Sequence, residues 1–195
     1  MNQTTSWKNP VKKLLRERKP CMGATITIPS PEVAAQCANM GFDFLWIEME
    51  HSPITLETLR NMVLATRALK AVPFARVPIN EIWLAKRVLD AAVLGVSFPF
   101  TTTPALARQA VAACKYKPAG VRGVGHGLAS FRWPPADSYP DFADRNVVTI
   151  LMIEEKEAVE QIDEIAATPG LDGIYIGTTD LSYSYGHRGN MDHPE

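Results

Sequence analysis

Short apolar runs alternate with helix-like segments along most of the chain. The runs that indicate strands are "CMGATITIP" (21–29), 44–48, 72–77, "GVSFPF" (95–100), "VVTILMIE" (147–154) and "DGIYIG" (172–177). Their lengths and their content of β-branched and aromatic residues are typical of buried strands. Strands separated by helices in strict alternation pair in parallel, so the pattern predicts an α/β fold.

The segments between these runs carry helix signals. In "SPEVAAQCANMG", Ser30 is a candidate N-cap, Pro31 occupies the first helical position and Gly41 stops the helix. A second helix is predicted at about 55–68, and "EIWLAKRVLDAAVLG" (81–95) has apolar residues at helical spacing. Further helices are predicted for "TPALARQAVAACKY" and "EKEAVEQIDEIAAT". The stretch 120–145 between them is irregular.

Polar residues gather at or just after the ends of the predicted strands, and this favours a barrel over an open doubly wound sheet. The residues are Glu50, His51, Arg76, Arg122, Glu154 and Asp180. In a (β/α)8 TIM barrel these strand ends converge on one mouth, where the reacting groups of such folds lie. In an open sheet they would spread along an edge. We therefore predict a (β/α)8 TIM barrel.

The length predicts that this barrel is truncated. A complete barrel typically needs about 250 residues, whereas this chain has 195 and ends in "NMDHPE", after what we count as its seventh strand-like segment. We expect one domain over residues 1–195, truncated after the seventh strand, with the C-terminal part of the barrel missing. A basic helical segment is expected at about 6–19.

Composition excludes several classes of partner. Twenty basic and 21 acidic residues leave a formal charge of −1, so no global basic field exists to hold nucleic acid or an anionic membrane. No apolar run approaches the length of a membrane span, and the N-terminal segment lacks the apolar core of a secretion signal. Three separated cysteines without a CxxC pair argue against a disulfide framework. We expect a cytoplasmic protein that binds a small molecule, with no nucleic acid or membrane partner.

Two acidic residues are candidate metal ligands. Glu154 ends the strand "TILMIE" and Asp180 follows "GIYIGTTD", so each lies where a parallel strand ends. Two carboxylates at one mouth are suited to a hard divalent cation that keeps open positions for water and substrate. The alternative is that both cap the following helices, where acids are favoured.

His51, Asp90 and Arg76 are further candidates. His51 either caps a turn before Pro53 or acts as a base, with Asp90 as the carboxylate that orients it. Arg76 either pairs with an acid such as Glu50 or stabilises oxyanion charge.

The glycines of "GVRGVGHG" lack the context of a dinucleotide fingerprint, and we interpret them as a flexible active-site loop. No lysine ends a predicted strand, which disfavours a Schiff-base aldolase.

Taken together and in this order, these motifs resemble the HpcH/HpaI family of class II, metal-dependent pyruvate aldolases, which includes 4-hydroxy-2-oxoheptanedioate aldolase. The motifs that carry the resemblance are "GFDFLWIEMEHSP", "FARVP", "LDAAVLG", "KYKPAGVRGVG", "IE" at 153–154 and "GIYIGTTDLS". The similarity covers nearly the whole chain after about residue 20. The resemblance implies a lyase that cleaves or forms the C3–C4 bond of 4-hydroxy-2-oxo acids, giving pyruvate and an aldehyde, in a homo-oligomer that is hexameric in the family.

The resemblance also implies residue roles. Glu154 and Asp180 correspond to the metal ligands, with Mg²⁺ or Mn²⁺ expected and Co²⁺ as a third candidate. His51 corresponds to the general base and Asp90 to the acid that makes it more basic. Arg76 corresponds to the residue that stabilises the enolate. The backbone at Thr179 and Asp180 corresponds to the segment that binds the pyruvate carboxylate.

Four residues depart from the family pattern, and two alternative functions stay open. Glu48 and Met49 stand where many members have Asp-Gly, Met152 replaces a glutamine and Thr178 replaces a proline. One alternative is a C–C lyase for thioesters, of the citrate lyase β or malyl-CoA lyase type, although no extra basic cluster for a CoA tail is visible near the mouth. The other is a non-catalytic barrel that binds 2-oxo acids.

Overall fold

The sheet contains six parallel strands that are arranged in the order of the sequence. The computed structural model describes residues 7–136 and 138–194. The strands are β1 (Gly23–Ile26), β2 (Phe44–Glu48), β3 (Val72–Arg76), β4 (Gly95–Phe98), β5 (Val148–Ile153) and β6 (Gly173–Ile176). Each strand pairs in parallel with the next, from β1 through to β6. The predicted α/β fold with parallel strands is confirmed.

The described residues contain six strands, one in each of the six apolar runs named above, so the count of seven strand-like segments is wrong. Near Arg122 the chain forms only an isolated parallel bridge to Tyr116. The stretch contains Pro118 and several glycines, and both residue types weaken a strand ladder.

Helices follow the strands and also occupy the N-terminal segment and the long β4–β5 connection. They are α1 (Pro10–Arg16), α2 (Pro31–Asn39), α3 (Leu56–Ala65), α4 (Ile82–Asp90), α5 (Pro104–Ala113), α6 (Gly127–Arg132), α7 (Tyr139–Asn146), α8 (Lys156–Glu160), α9 (Ile162–Ala166) and α10 (Thr178–Ser184). Ser30 caps α2 as expected, because its hydroxyl accepts a hydrogen bond from the Val33 amide. Helix α1 is shorter than the expected 6–19, and position 6 lies outside the described residues. Within the described residues, no helix has both the length and the apolar character that a membrane span requires.

The sheet is curled rather than flat. The rings of Trp46 on β2 and Tyr175 on β6 lie 5.3 Å apart, although these strands are separated by three others. In a flat sheet with strands about 4.8 Å apart, that separation would be about 19 Å. The six strands therefore form a curled half-barrel, and its closure by eight strands stays a prediction.

Glycines on the concave face make room for the aromatic rings that fill it. A Cβ atom on Gly23 would lie 2.3 Å from the ring of Phe44, and one on Gly95 would lie 2.3 Å from the ring of Phe74. The two rings stack with their centroids 5.1 Å apart. Each large ring thus needs a neighbouring strand without a side chain at the opposing position.

Helix α1 covers the amino ends of three strands. Lys12 donates hydrogen bonds to the Val147 carbonyl at 2.6 Å and to Asp172 at 2.8 Å. Asn9 donates to the Leu94 carbonyl at 3.3 Å. Leu94, Val147 and Asp172 immediately precede β4, β5 and β6. The amino end of the half-barrel is therefore covered there, and the candidate site lies at the opposite, carboxyl end.

Candidate active site

Glu48, the last residue of β2, organises the turn that follows the strand. Its side chain is buried, and Oε1 accepts hydrogen bonds from the backbone amides of Glu50 at 2.7 Å and His51 at 3.1 Å. The Ser52 hydroxyl donates to the Glu48 carbonyl. These bonds satisfy amides that the strand ladder leaves unpaired and fix the position of His51.

Arg76, at the end of β3, lies among three carboxylates. Its Nε donates to Glu48 Oε2 at 2.6 Å, and its Nη1 lies 3.1 Å from Glu50 Oε2 and 4.0 Å from Glu154 Oε1. The same Nη1 lies 3.8 Å from the sulfur of Met152. Of the two roles that the sequence left open for Arg76, the pairing with Glu50 is observed, and Glu48 is a closer partner that the sequence did not suggest. Among the contacts of the described residues, none engages Nη2 of Arg76, which leaves two of its N–H groups available to a ligand.

Glu154 follows β5 and is almost fully buried, with 2% of its surface exposed. Burial raises the pKa of this carboxyl; the amide of Phe100 and the charge of Arg76 oppose the rise, and the charge of Asp180 adds to it. Asp180 lies exposed in the first turn of α10, directly after β6. The two predicted metal ligands are thus close enough to interact electrostatically.

The charges at this end of the sheet suit a cation. Glu48, Glu50, Glu154 and Asp180 supply four carboxylates, while Arg76 supplies one guanidinium. Burial raises the pKa of Glu50, the charges of Arg76 and His51 oppose the rise, and the charges of Glu154 and Glu48 add to it. Within the described part of the chain, no group of three or more His, Cys, Asp or Glu side chains forms a complete metal centre. Glu154 and Asp180 fit a hard cation whose remaining positions belong to water and substrate oxygens.

His51 lies exposed beside this cluster. Its Nε2 lies 3.6 Å from Glu50 Oε1, and 67% of its side chain is exposed. The predicted partner Asp90 is the last residue of α4 and instead accepts a hydrogen bond from Arg122 Nη2 at 2.9 Å. No contact among the described residues joins Asp90 to His51, so this pair stays a prediction and Glu50 is the carboxylate beside the imidazole.

The glycine-containing loop after α5 packs against α4. A Cβ on Gly125 would lie 3.0 Å from Asp90 Oδ2, and one on Gly123 would lie 3.4 Å from the Lys86 side chain. Arg122 in this loop is buried and pairs with Asp90. The structure therefore places our predicted active-site loop beside Asp90.

The segment after β6 begins helix α10 without a side-chain cap. Gly177 is the N-cap residue, and the first intrahelical bond reaches the amide of Leu181. The amides of Thr178, Thr179 and Asp180 thus lack intrahelical partners, as in the first turn of any helix. Such amides bind anions, and this agrees with the predicted use of Thr179 and Asp180 for a carboxylate.

A cavity of about 250 Å³ lies on the concave face beneath these residues. Glu48, Arg76 and Met152 line it together with the rings of Trp46 and Tyr175. The cavity thus has a charged end at the carboxyl edge of the sheet and an aromatic wall below it.

A comparison with family models identifies the family of this chain. Residues 26–195 match the family model described as HpcH/HpaI aldolase/citrate lyase. The chain belongs to this family. The resemblance that the motifs indicated is thereby confirmed, and the HpcH/HpaI aldolase/citrate lyase family is one of carbon–carbon lyases.

Relatives in the HpcH/HpaI family carry aldolase names. The chain is 34% identical over 188 residues to the hydroxypyruvate/pyruvate aldolase of Roseobacter denitrificans, covering 96% of this chain and 73% of that protein. It is 33% identical over 187 residues to the 5-keto-4-deoxy-D-glucarate aldolase of an Enterobacter species, with the same two coverages, 96% and 73%. The crystal structure of a family member from Burkholderia cenocepacia superimposes with a TM-score of 0.88 at 35% identity, covering 96% of this chain and 76% of that one.

Proposed function

We propose that the protein is a divalent-metal-dependent aldolase that cleaves, or in reverse forms, the C3–C4 bond of 4-hydroxy-2-oxo acids to give pyruvate and an aldehyde. The observation that carries the proposal is the cluster of Glu48, Glu50 and Glu154 around Arg76 at the carboxyl end of the strands. Asp180 adds a fourth carboxylate, near enough to Glu154 to raise its pKa. The names of the relatives, hydroxypyruvate/pyruvate aldolase and 5-keto-4-deoxy-D-glucarate aldolase, support the same reaction class.

Glu154 and Asp180 would hold the cation, with Mg²⁺, Mn²⁺ or Co²⁺ as candidates. When bound, such a cation supplies Lewis-acid polarisation of the substrate's keto oxygen. Glu154 follows β5, and Asp180 lies in the first turn of the helix that follows the adjacent strand β6, so the pairing of these strands brings the two residues to the same end of the sheet.

Arg76 and the start of α10 would bind the 2-oxo acid. The Nη2 group of Arg76 donates hydrogen bonds to the oxygen on which enolate charge develops, and Glu48 and Glu50 fix the guanidinium in place. The amides of Thr179 and Asp180 donate to the substrate carboxylate. These contacts keep the developing charge close to donors that are already positioned before the reaction.

His51 would act as the general base. Its imidazole takes the proton of the C4 hydroxyl, the C4–O bond becomes a carbonyl and the C3–C4 bond breaks, with its electron pair forming the enolate of pyruvate. The enolate is then protonated at C3, which completes pyruvate. Glu50, 3.6 Å from His51 Nε2, stabilises the protonated imidazole. Asp90 is paired with Arg122, and its predicted effect on the basicity of His51 stays a prediction.

The test is pyruvate release from a panel of 4-hydroxy-2-oxo acids, with and without a chelator and with Mg²⁺ or Mn²⁺ restored. We expect activity to stop on chelation, to return with metal, and to be lost in Glu154→Gln and Asp180→Asn. The adjacent, partly exposed Glu155→Gln is the matched control and should behave as the wild type. Full activity in Glu154→Gln would contradict the metal assignment, and turnover of CoA esters alone would assign a thioester lyase instead.

A further inference from the structure

The two oxygens of the Glu154 carboxylate have different contacts. Oε2 accepts a hydrogen bond from the Phe100 amide at 2.9 Å. Oε1 lies 4.0 Å from Arg76 Nη1, across the end of the sheet. Because the residue is 2% exposed, water does not compete for these positions, and the carboxylate has a defined direction.

The Phe100 amide reaches Glu154 from an unusual backbone conformation. Phe100 has φ of +47°, in the left-handed region that residues with a side chain seldom adopt. It lies just after β4, in the connection that leads to α5. Strained backbone of this kind persists where the surrounding structure requires it and is frequent at functional sites. Here the observed consequence is an amide directed at a buried carboxylate.

Gly177 packs closely against the side chain of Glu154. A Cβ atom on Gly177 would lie 2.5 Å from Glu154 Cγ and 2.8 Å from its Oε1. The glycine has φ of −87°, so its backbone does not require the left-handed freedom of glycine. The close approach of Glu154 is therefore the feature that excludes a side chain at this position. By contrast, the nearest atom to a Cβ on Gly173, at the start of β6, is 4.0 Å away.

We propose that Phe100 and Gly177 are positioning residues that form a backbone clamp on Glu154 and so set the direction in which this carboxylate meets the cation. The clamp rests on the proposed function for its link to the cation, but the contact between Gly177 and Glu154 stands without it. Partners that orient a ligand typically change metal affinity by about 10–100-fold when they are lost.

The first test compares Gly177→Ala with Gly173→Ala in the 195-residue protein. Calorimetric titration with Mn²⁺ should show a loss of affinity of at least about tenfold in Gly177→Ala. Affinity close to that of the wild type is expected in Gly173→Ala, which has room for the added methyl group. A folded Gly177→Ala protein that binds Mn²⁺ as tightly as the wild type would overturn the clamp.

Phe100 provides an independent pair of variants. Glycine adopts positive φ freely, whereas β-branched residues avoid it, so Phe100→Gly should keep Mn²⁺ affinity and Phe100→Val should lose it. Equal affinity in both variants would remove Phe100 from the clamp. This pair also decides the role of the backbone at this position if Gly177→Ala fails to fold.

A double-mutant cycle separates the clamp from the metal. Gly177→Ala should lower the urea midpoint more when Glu154 is present than in the Glu154→Ala background, where the side chain that clashes is gone and only the loss of the N-cap glycine remains. Equal effects in both backgrounds would overturn the clamp. If the wild type binds no Mn²⁺ at all, the metal assignment of the proposed function fails, and this cycle alone decides whether Gly177 and Glu154 are coupled.

Discussion

Removal of the Glu48 carboxylate should destabilise the fold and the candidate site together. The residue is 3% exposed, and its side chain accepts three hydrogen bonds, from the amides of Glu50 and His51 and from Arg76 Nε. Glu48→Ala would leave two amides and a guanidinium N–H without these acceptors in a region that water reaches poorly. Both the turn that carries His51 and the direction of Arg76 depend on this one carboxylate.

The expected magnitude follows from the partners that remain. Removing one member of a buried ion pair typically costs about 3–5 kcal/mol, because the other charge is left uncompensated. Arg76 retains Glu50 at 3.1 Å, and 14% of its side chain is exposed, so the lower end of that range applies. We expect Glu48→Ala to lower the free energy of unfolding by about 3 kcal/mol. Glu48→Gln keeps an acceptor for the two amides and should cost about 1.5 kcal/mol.

The assay is urea unfolding followed by circular dichroism. The control is Glu57→Ala, which removes an exposed acid from the first turn of α3 and should cost less than about 1 kcal/mol. A loss below about 1 kcal/mol in Glu48→Ala would refute the central position assigned to this carboxylate. Equal losses of stability in Glu48→Ala and Glu48→Gln would refute the idea that accepting hydrogen bonds from the two amides contributes to stability separately from the negative charge.

Three further predictions concern other buried groups. Burial raises the pKa of Glu50 above its ordinary value of 4.5, so the ionised carboxylate costs stability at pH 7. Glu50→Gln should therefore raise the free energy of unfolding at pH 7, and this gain should disappear below pH 4.5, where the carboxyl is protonated in the folded and the unfolded protein; urea unfolding at pH 7 and below pH 4.5 measures both. Lys12→Met should cost about 3 kcal/mol in the same assay because it leaves Asp172, only 9% exposed, without its cation, and a cost near zero would contradict this. Gly95→Ala should lower the free energy of unfolding by about 1–3 kcal/mol, because the new Cβ would lie 2.3 Å from the Phe74 ring. An unchanged melting temperature would contradict the packing described.

The strands and the strand-end residues were predictable because both depend on local pattern. A buried parallel strand is a short apolar run, and the residue after it must lie at the carboxyl edge of the sheet, so Arg76, Glu154 and Asp180 could be assigned to one edge. The pairing of Glu48 with Arg76 could not be read this way. It depends on the register that places these two residues side by side across β2 and β3.

The position of Asp90 was unpredictable for a similar reason. Its place in the otherwise apolar helix stretch "RVLDAAVLG" made it a candidate partner of His51, but its observed partner comes from a loop 32 residues later in the chain. Nothing in the local sequence shows that this loop folds back onto α4. The Gly125 contact with Asp90 and the burial of Arg122 are consequences of that folding.

The contact between Arg76 and Glu154 depends on the stagger of the strands as well as on their curl. The register aligns Arg76 with Ser97 and Ser97 with Ile150, so Glu154 lies four residues beyond the level of Arg76. At about 3.3 Å per residue, strands without tilt would separate the two by about 13 Å along the strand direction, in addition to two strand spacings. The observed 4.0 Å therefore requires the long side chains to reach across tilted strands, as in a barrel.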